Sequence, residues 1–249
     1  MNSRHQFRCT FTGIDRFTDL GRVVDLSARH PSVEWGILYS PTRAGKEPRY
    51  LSADQINAAL DRLPAACSIA LHLCGRGVTD LLNENQSEAS LLMRRVAARH
   101  GRVQINVNLP KTPDLLSPLR AWLAIEAKSL GLSVITQHNK SNLALTEALR
   151  GLPNHAVLFD ASGGRGLPRE GGWPAPLDDL HCGYAGGIGP QTINADLLAI
   201  QSAAGSRPYW VDMEGRVRDA QDRLSLDAAE TCLRACDAFL ESQRQGAQQ

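Results

Sequence analysis

The sequence predicts an α/β fold closed into a barrel, and three observations carry the prediction. Eight short apolar runs of strand length alternate with segments of helical periodicity, a pattern that argues for a parallel sheet. The chain has 249 residues, and a barrel of eight such units needs about 250. In the stretch 156–189, AVLFDASGGRGLPREGGWPAPLDDLHCGYAGGIG, apolar runs at 156–159 and 183–185 spill directly into glycines, the first through Asp160. Buried parallel strands deliver polar chemistry to the rim of a sheet in this way. No linker, low-complexity segment or strong internal repeat divides the chain, so residues 1–249 are expected to form a single (β/α)8 TIM barrel domain.

The elements follow in order. FRCTFTG (7–13) alternates bulky and polar side chains and stops at a glycine, which predicts the first strand. Residues 14–30 place Phe17, Leu20, Val23, Val24 and Leu26 at helical spacing, ending before Pro31. VEWGILYS is the second strand, and LSADQINAALDRL an amphipathic helix capped by Ser52. CSIALHLC is the third strand, residues 84–99 a helix, and RVQINVN the fourth strand. Residues 113–130 are helical apart from Pro118, SVITQH is the fifth strand, and NKSNLALTEALR a further helix. The two runs of the 156–189 stretch are strands six and seven, with little room for a full helix between them. Residues 190–203 form the next helix, YWVDME the eighth strand, and residues 225–241 the closing helix. In such a barrel the site lies at the C-terminal strand ends, with phosphate at the loops after strands seven and eight.

Composition narrows the partners. With 27 basic and 26 acidic residues the net charge is +1, so no global field draws nucleic acid or an anionic membrane. Any anion must be bound locally. Gly186 and Gly187, in AGGIGPQT, are expected to sit just before a helix N-terminus, where backbone N–H groups favour phosphate. The six cysteines show no CxxC pair, which points to reduced thiols in a cytoplasmic protein and to no metal site. No apolar run reaches the length of a signal peptide core or a membrane span.

Four stretches in this order and spacing resemble one family, the phosphoribosylanthranilate isomerases of tryptophan synthesis. They are WGILYSPTRAGKEPRYLSADQI, LFDASGGRG with its later GGW, GYAGGIGPQTI, and WVDMEGRVRD. The resemblance implies a cofactor-free Amadori rearrangement, in which a ribosylamine phosphate becomes a ketose by acid and base catalysis. It implies that Asp160 is the general acid that protonates the ring oxygen, and that Arg49 holds the anthranilate carboxylate. It also places Gly186 and Gly187 in the phosphate-binding turn, and Asp212 at the end of strand eight. Gly164 and Arg165, in the GGRG loop, are candidates for a second anionic group of the substrate, and Gly215 for the phosphate.

Each residue also has a plainer use. Asp160 could cap the glycine turn that follows it, Arg49 could pair with Glu47, and Arg165 could be an exposed loop arginine.

The chain departs from the family in three places. The family's general base is a cysteine at the end of strand one, where this chain has Thr12, and a hydroxyl is a very poor base near pH 7. Cys9 should point to the opposite face from Thr12. On strand three, His72 and Cys74 share a face, and either could act as a relocated base or simply line the barrel. On strand eight Glu214 precedes Gly215, and a carboxylate beside a phosphate is repulsive unless Arg216 or Arg218 compensates. On strand four a family histidine is absent, while Gln104 and Asn106 remain to bind a hydroxyl, and Gln137 and His138 add polar groups to the rim.

Three functions fit these residues: a phosphoribosylanthranilate isomerase-like enzyme, an enzyme of altered chemistry on a related sugar or sugar phosphate, and a non-catalytic ligand-binding barrel.

Overall fold

The computed structural model describes residues 7–83, 86–160 and 171–246. Eight strands, β1 (Arg8–Thr12), β2 (Val33–Tyr39), β3 (Ile69–Cys74), β4 (Arg102–Asn106), β5 (Ser133–His138), β6 (His155–Asp160), β7 (His181–Ala185) and β8 (Tyr209–Met213), pair in chain order into a closed barrel. Every pairing is parallel, including the closing one, in which residues from Arg8 to Phe11 lie opposite Trp210 to Met213. The helices are α1 (Leu20–Arg29), α2 (Ala53–Arg62), α3 (Arg76–Asn83), α4 (Glu88–Ala97), α5 (Leu116–Trp122), α6 (Leu143–Leu149), α7 (Ile193–Ala204) and α8 (Leu226–Gly246). This is the single TIM barrel that the alternation predicts.

The differences lie in the helices. α1 starts later than the periodicity suggests because Asp19 caps it, accepting hydrogen bonds from the Gly21 and Arg22 amides. The helix expected at 84–99 is α4, and a second helix, α3, precedes it. Pro118 lies in the first turn of α5, where its missing N–H is no loss; a π-helical turn, Leu123–Ala127, continues that helix. Ser52 caps α2 as expected, in a capping box with Gln55.

Between β6 and β7 the described residues 171–180 contain no helix. Trp173 packs edge-on against Tyr184, 5.7 Å between ring centroids, and the Tyr184 hydroxyl donates to the Pro174 carbonyl at 3.1 Å. The loop thus supplies the cover over β7 that a helix supplies over other strands.

Period-two burial divides the apolar residues in two. The larger cluster fills the space between barrel and helices; it includes Cys9, whose sulfur lies 3.5 Å from that of Cys236 on α8, facing away from Thr12 as expected. The smaller cluster, Ile135, Ala156, Leu158 and Trp210, is inside the barrel. The Trp210 indole lies across Gly183, where a Cβ would come within 2.1 Å of the ring.

The barrel interior also holds charge. Glu34, with no exposed surface, accepts from Arg8 Nη1 at 2.8 Å, from Thr10 Oγ1 at 3.0 Å and from Arg102 Nε at 2.9 Å. The Arg102 guanidinium in turn lies 4.5 Å above the Trp210 ring, a cation–π contact. Burial by itself would raise the Glu34 pKa, but the charge and hydrogen bonds of Arg102, with help from Arg8, hold it down at about 2.

A carboxyl whose pKa is lowered in the fold stabilises the protein above its unfolded pKa and loses that contribution as pH falls through the folded value. Glu34→Gln leaves Arg102 buried without its counter-charge and should cost about 3–5 kcal/mol at neutral pH, measured by urea unfolding. The gap from wild type should narrow between pH 4.5 and pH 2; a gap that stays constant over that range would contradict the account.

Candidate functional site

At the C-terminal ends of the strands a cavity opens above the Trp210 layer. It forms there because residues of even offset along each strand point inward, and on the last turn of the barrel those positions are polar. Thr12, His72, Gln104, Asn106, Gln137, Asp160 and Asp212 line it, with Gly186, Gly187, Glu214, Gly215 and Arg216 at its β7 and β8 edge. The sequence-predicted Thr12, His72, Gln104, Asn106, Asp160, Asp212, Gly186, Gly187 and Gly215 are therefore brought together.

Three described candidates, Cys74, Arg49 and His138, are not in this lining. Cys74 stands behind Asn106, whose Nδ2 donates to its sulfur at 3.3 Å. Arg49 is held by a bidentate contact to Asp222 and a further one to Glu214, so its ion-pair partners are these two carboxylates and not Glu47. Gly164 and Arg165 lie outside the described residues. His138, expected at the rim, turns outward: its Nδ1 meets the Thr146 hydroxyl at 2.9 Å and its ring packs on Phe159.

The titratable groups of the cavity sit in unlike environments. Asp212 accepts a hydrogen bond from Thr12 Oγ1 at 2.8 Å. Burial pushes its carboxyl up to about 8, outweighing the lowering effect of the Thr12 hydrogen bond, and the charge of Glu214 adds to the rise. His72 is pushed down to about 4 by burial, so it is neutral at physiological pH. Burial drives the Cys74 thiol up to about 11, so little thiolate exists near pH 7. Asp160 accepts from Gln137 Nε2 at 2.9 Å, which fixes the carboxyl at the end of β6. Thr12 thus serves as the partner of a carboxyl that titrates near neutrality.

The β7 and β8 edge differs from expectation in one respect. Gly186 and Gly187 have φ of 119° and 78°, a backbone that side chains rarely adopt. α7, however, begins only at Ile193, so the glycines form a loop separated from the helix terminus by a turn through Gly189 and Thr192. Arg218, considered as a partner for Glu214, is instead directed to Asp15, Asp222 and the Gly13 carbonyl. Arg49 takes that part, and Arg216 is exposed at the cavity edge.

Glu34 and Arg102 do not stand out from strand-end position. A lone glutamate within VEWGILY and an arginine opening RVQIN were the available signals, since charge inside an apolar strand needs a partner. Among the described residues, no group of three or more His, Cys, Asp or Glu side chains is arranged to hold a metal ion. No described helix is long and apolar enough to cross a membrane.

No protein-family model and no curated protein matches the sequence. Solved structures do match. The phosphoribosyl anthranilate isomerase of Thermus thermophilus superposes with a TM-score of 0.61 at 16% identity, over 94% of this chain and all of that one. A phosphoribosyl anthranilate isomerase solved with reduced 1-(o-carboxyphenylamino)-1-deoxyribulose 5-phosphate superposes with a TM-score of 0.56 at 13% identity, over 94% and 100%. The chain has the phosphoribosylanthranilate isomerase fold. The DAHP synthase of Thermotoga maritima shares it as well, with a TM-score of 0.57 at 12% identity over 96% of this chain and 71% of that one, so activity must be argued from the site.

A carboxyl whose pKa is raised in the fold is a liability once the unfolded state ionises. Because Asp212 is protonated in the fold up to about pH 8, its ionisation in the unfolded chain lowers stability progressively from about pH 4 to pH 8. Asp212→Asn should therefore raise the melting temperature at pH 8 and hardly at all at pH 4. A difference independent of pH, measured by calorimetry across that range, would count against the assignment.

Proposed function

We propose that the protein is a cofactor-free aldose-to-ketose isomerase of the phosphoribosylanthranilate isomerase type, acting on a ribosylamine phosphate or a close sugar derivative. The observation that carries this reading is that Asp160 and the Thr12-bonded Asp212 line one cavity together with Gly186, Gly187 and Gly215. Asp160 gives a proton to the ring oxygen as the C1–O bond breaks, leaving an iminium at C1. Asp212 in its ionised form removes the C2 proton, the C2–H electrons neutralise the iminium, and the enolamine then tautomerises to the ketose. A carboxyl near 8 is a stronger base than an ordinary aspartate and is still partly ionised near neutral pH, which suits that step. Thr12 orients it, so the loss of the family's cysteine is answered by a second carboxyl and not by a thiol.

The phosphate would be taken by the amides of Gly186, Gly187 and Gly215, with Arg216 beside them and the charge of Glu214 offset by Arg49. Arg165 and Gly164 remain candidates for a further anionic group. One observation favours the second reading, a related sugar without the aryl carboxylate: Arg49, the residue that would hold that group, already carries two carboxylates. On either reading the partner is a small molecule, with no nucleic acid or membrane involved, the single domain works in the cytoplasm without metal or cofactor, and tryptophan synthesis is the pathway of the first.

Freshly generated phosphoribosylanthranilate should lose its fluorescence in the presence of the protein. Asp160→Asn should lower turnover by about 10²-fold or more, and unchanged turnover would sink its role. kcat/KM should rise with pH to a plateau above about pH 8, and Asp212→Asn should abolish both the rise and most of the activity. Inorganic phosphate should raise the melting temperature by mass action; no shift at high concentration would remove the phosphate from the reading.

A further inference from the structure

His72 and Gln104 are register partners on β3 and β4, are 2% and 3% exposed, and both line the cavity. His72 Nε2 and Gln104 Oε1 have no hydrogen-bond partner among the described residues. Buried polar atoms are nearly always paired, so two unpaired ones on neighbouring strands of a cavity wall mark where a ligand group completes them.

The direction of the Gln104 amide is set from behind. Its Nε2 donates to Asn106 Oδ1 at 2.9 Å, Asn106 Nδ2 donates to Cys74 Sγ at 3.3 Å, and the Cys74 thiol is directed at the His72 carbonyl at 3.8 Å. A thiol at the end of this chain accepts from Asn106 while donating to a carbonyl, which has no proton to give back. Flipping Asn106 alone would set its N–H against an N–H of Gln104, and flipping both amides would need the single thiol proton for Asn106 Oδ1 and take it from the His72 carbonyl. The acceptor Oε1 is therefore the atom that Gln104 presents to the cavity.

We propose that His72 and Gln104, with Cys74 and Asn106 as positioning residues behind them, form a hydroxyl-recognition subsite for a sugar or polyol. With the neutral imidazole as its Nε2–H tautomer, the ligand oxygen accepts from Nε2 and its proton is donated to Gln104 Oε1. A hydroxyl does both. A phosphate dianion or a carboxylate has no proton for Gln104, and an ammonium has no lone pair for His72, so the subsite separates the polyol part of a ligand from its charged ends. This assignment rests on the reading of the cavity as the substrate site, and it gives Cys74 a part that does not need a thiolate.

The test is calorimetric titration of the full chain with ribitol and, separately, with inorganic phosphate. Wild type should bind ribitol saturably. Gln104→Met should weaken ribitol about tenfold or more, Cys74→Ala should weaken it several-fold, and Cys74→Ser, which keeps a donor and an acceptor at that place, should restore it. None of the three should move the phosphate response or the melting temperature of the free protein by a comparable amount, whereas a purely structural part for these residues would move both. Failure of wild type to bind ribitol, or equal binding by Gln104→Met, overturns the subsite. The isomerase reading fails separately: ribitol binding with no turnover of phosphoribosylanthranilate sinks the reaction and leaves the subsite, and turnover without ribitol binding does the reverse.

Discussion

Inside the barrel, Glu34 is held between Arg8 and Arg102 with no exposed surface, and the cavity above depends on that arrangement. Three strands are tied by one carboxylate, and Arg102 carries the contact on to Trp210 of a fourth. An ion pair in such a place contributes little net stability over apolar residues of the same volume, yet losing one member is expensive. What the network supplies is a fixed floor: the indole of Trp210 is pressed between a guanidinium and the bare backbone of Gly183, and the polar layer of His72, Gln104 and Asp212 stands on it.

Water exclusion by that floor sets the chemistry of the layer. The same burial moves Asp212 up and His72 down, because in each case it is the charged form that loses its hydration. Both groups are thereby mostly neutral at physiological pH, although one is an acid and the other a base. Burial raises Glu214 as well, and the rise is opposed by Arg49, which also binds Asp222 and so joins the loops after β2 and β8. The net result is a pocket in which full charges are paired at the edge and hydrogen-bonding groups occupy the interior.

Much of the fold was legible in the residues because buried parallel strands leave short runs rich in apolar residues, and each of the eight strands overlaps a run of strand length, although β1 was legible by alternation and β6 and β7 begin before the runs at 156–159 and 183–185. Helix starts were less legible. Phe17 fits the helical spacing of residues 14–30, but it is 47% exposed and is covered by Arg16 and Arg223 instead of by the core, so it lies in a loop and α1 begins at the Asp19 cap. For the site, strand-end position was enough to bring Asp160, Asp212, Thr12, His72 and Gln104 forward, since even offsets on a strand decide facing. Arg49 was beyond reach because its partners lie 165 and 173 residues further along the chain. The place of Cys74 depends on a relay through Asn106 that strand periodicity does not contain.

The hydrogen bond between Thr12 and Asp212 joins residues 200 positions apart, on the first strand and the last. During synthesis, Thr12 leaves the ribosome long before its partner exists, and the β1 edge stays unpaired on that side until β8 is made. Contacts of such separation form late and slowly. A chain truncated anywhere before β8 could assemble many of the inner contacts and still lack the carboxyl, the closing strand and the floor of Trp210. The buried carboxyl of Asp212 is therefore a report of completed synthesis: nothing short of the whole barrel can hold the proton that it holds.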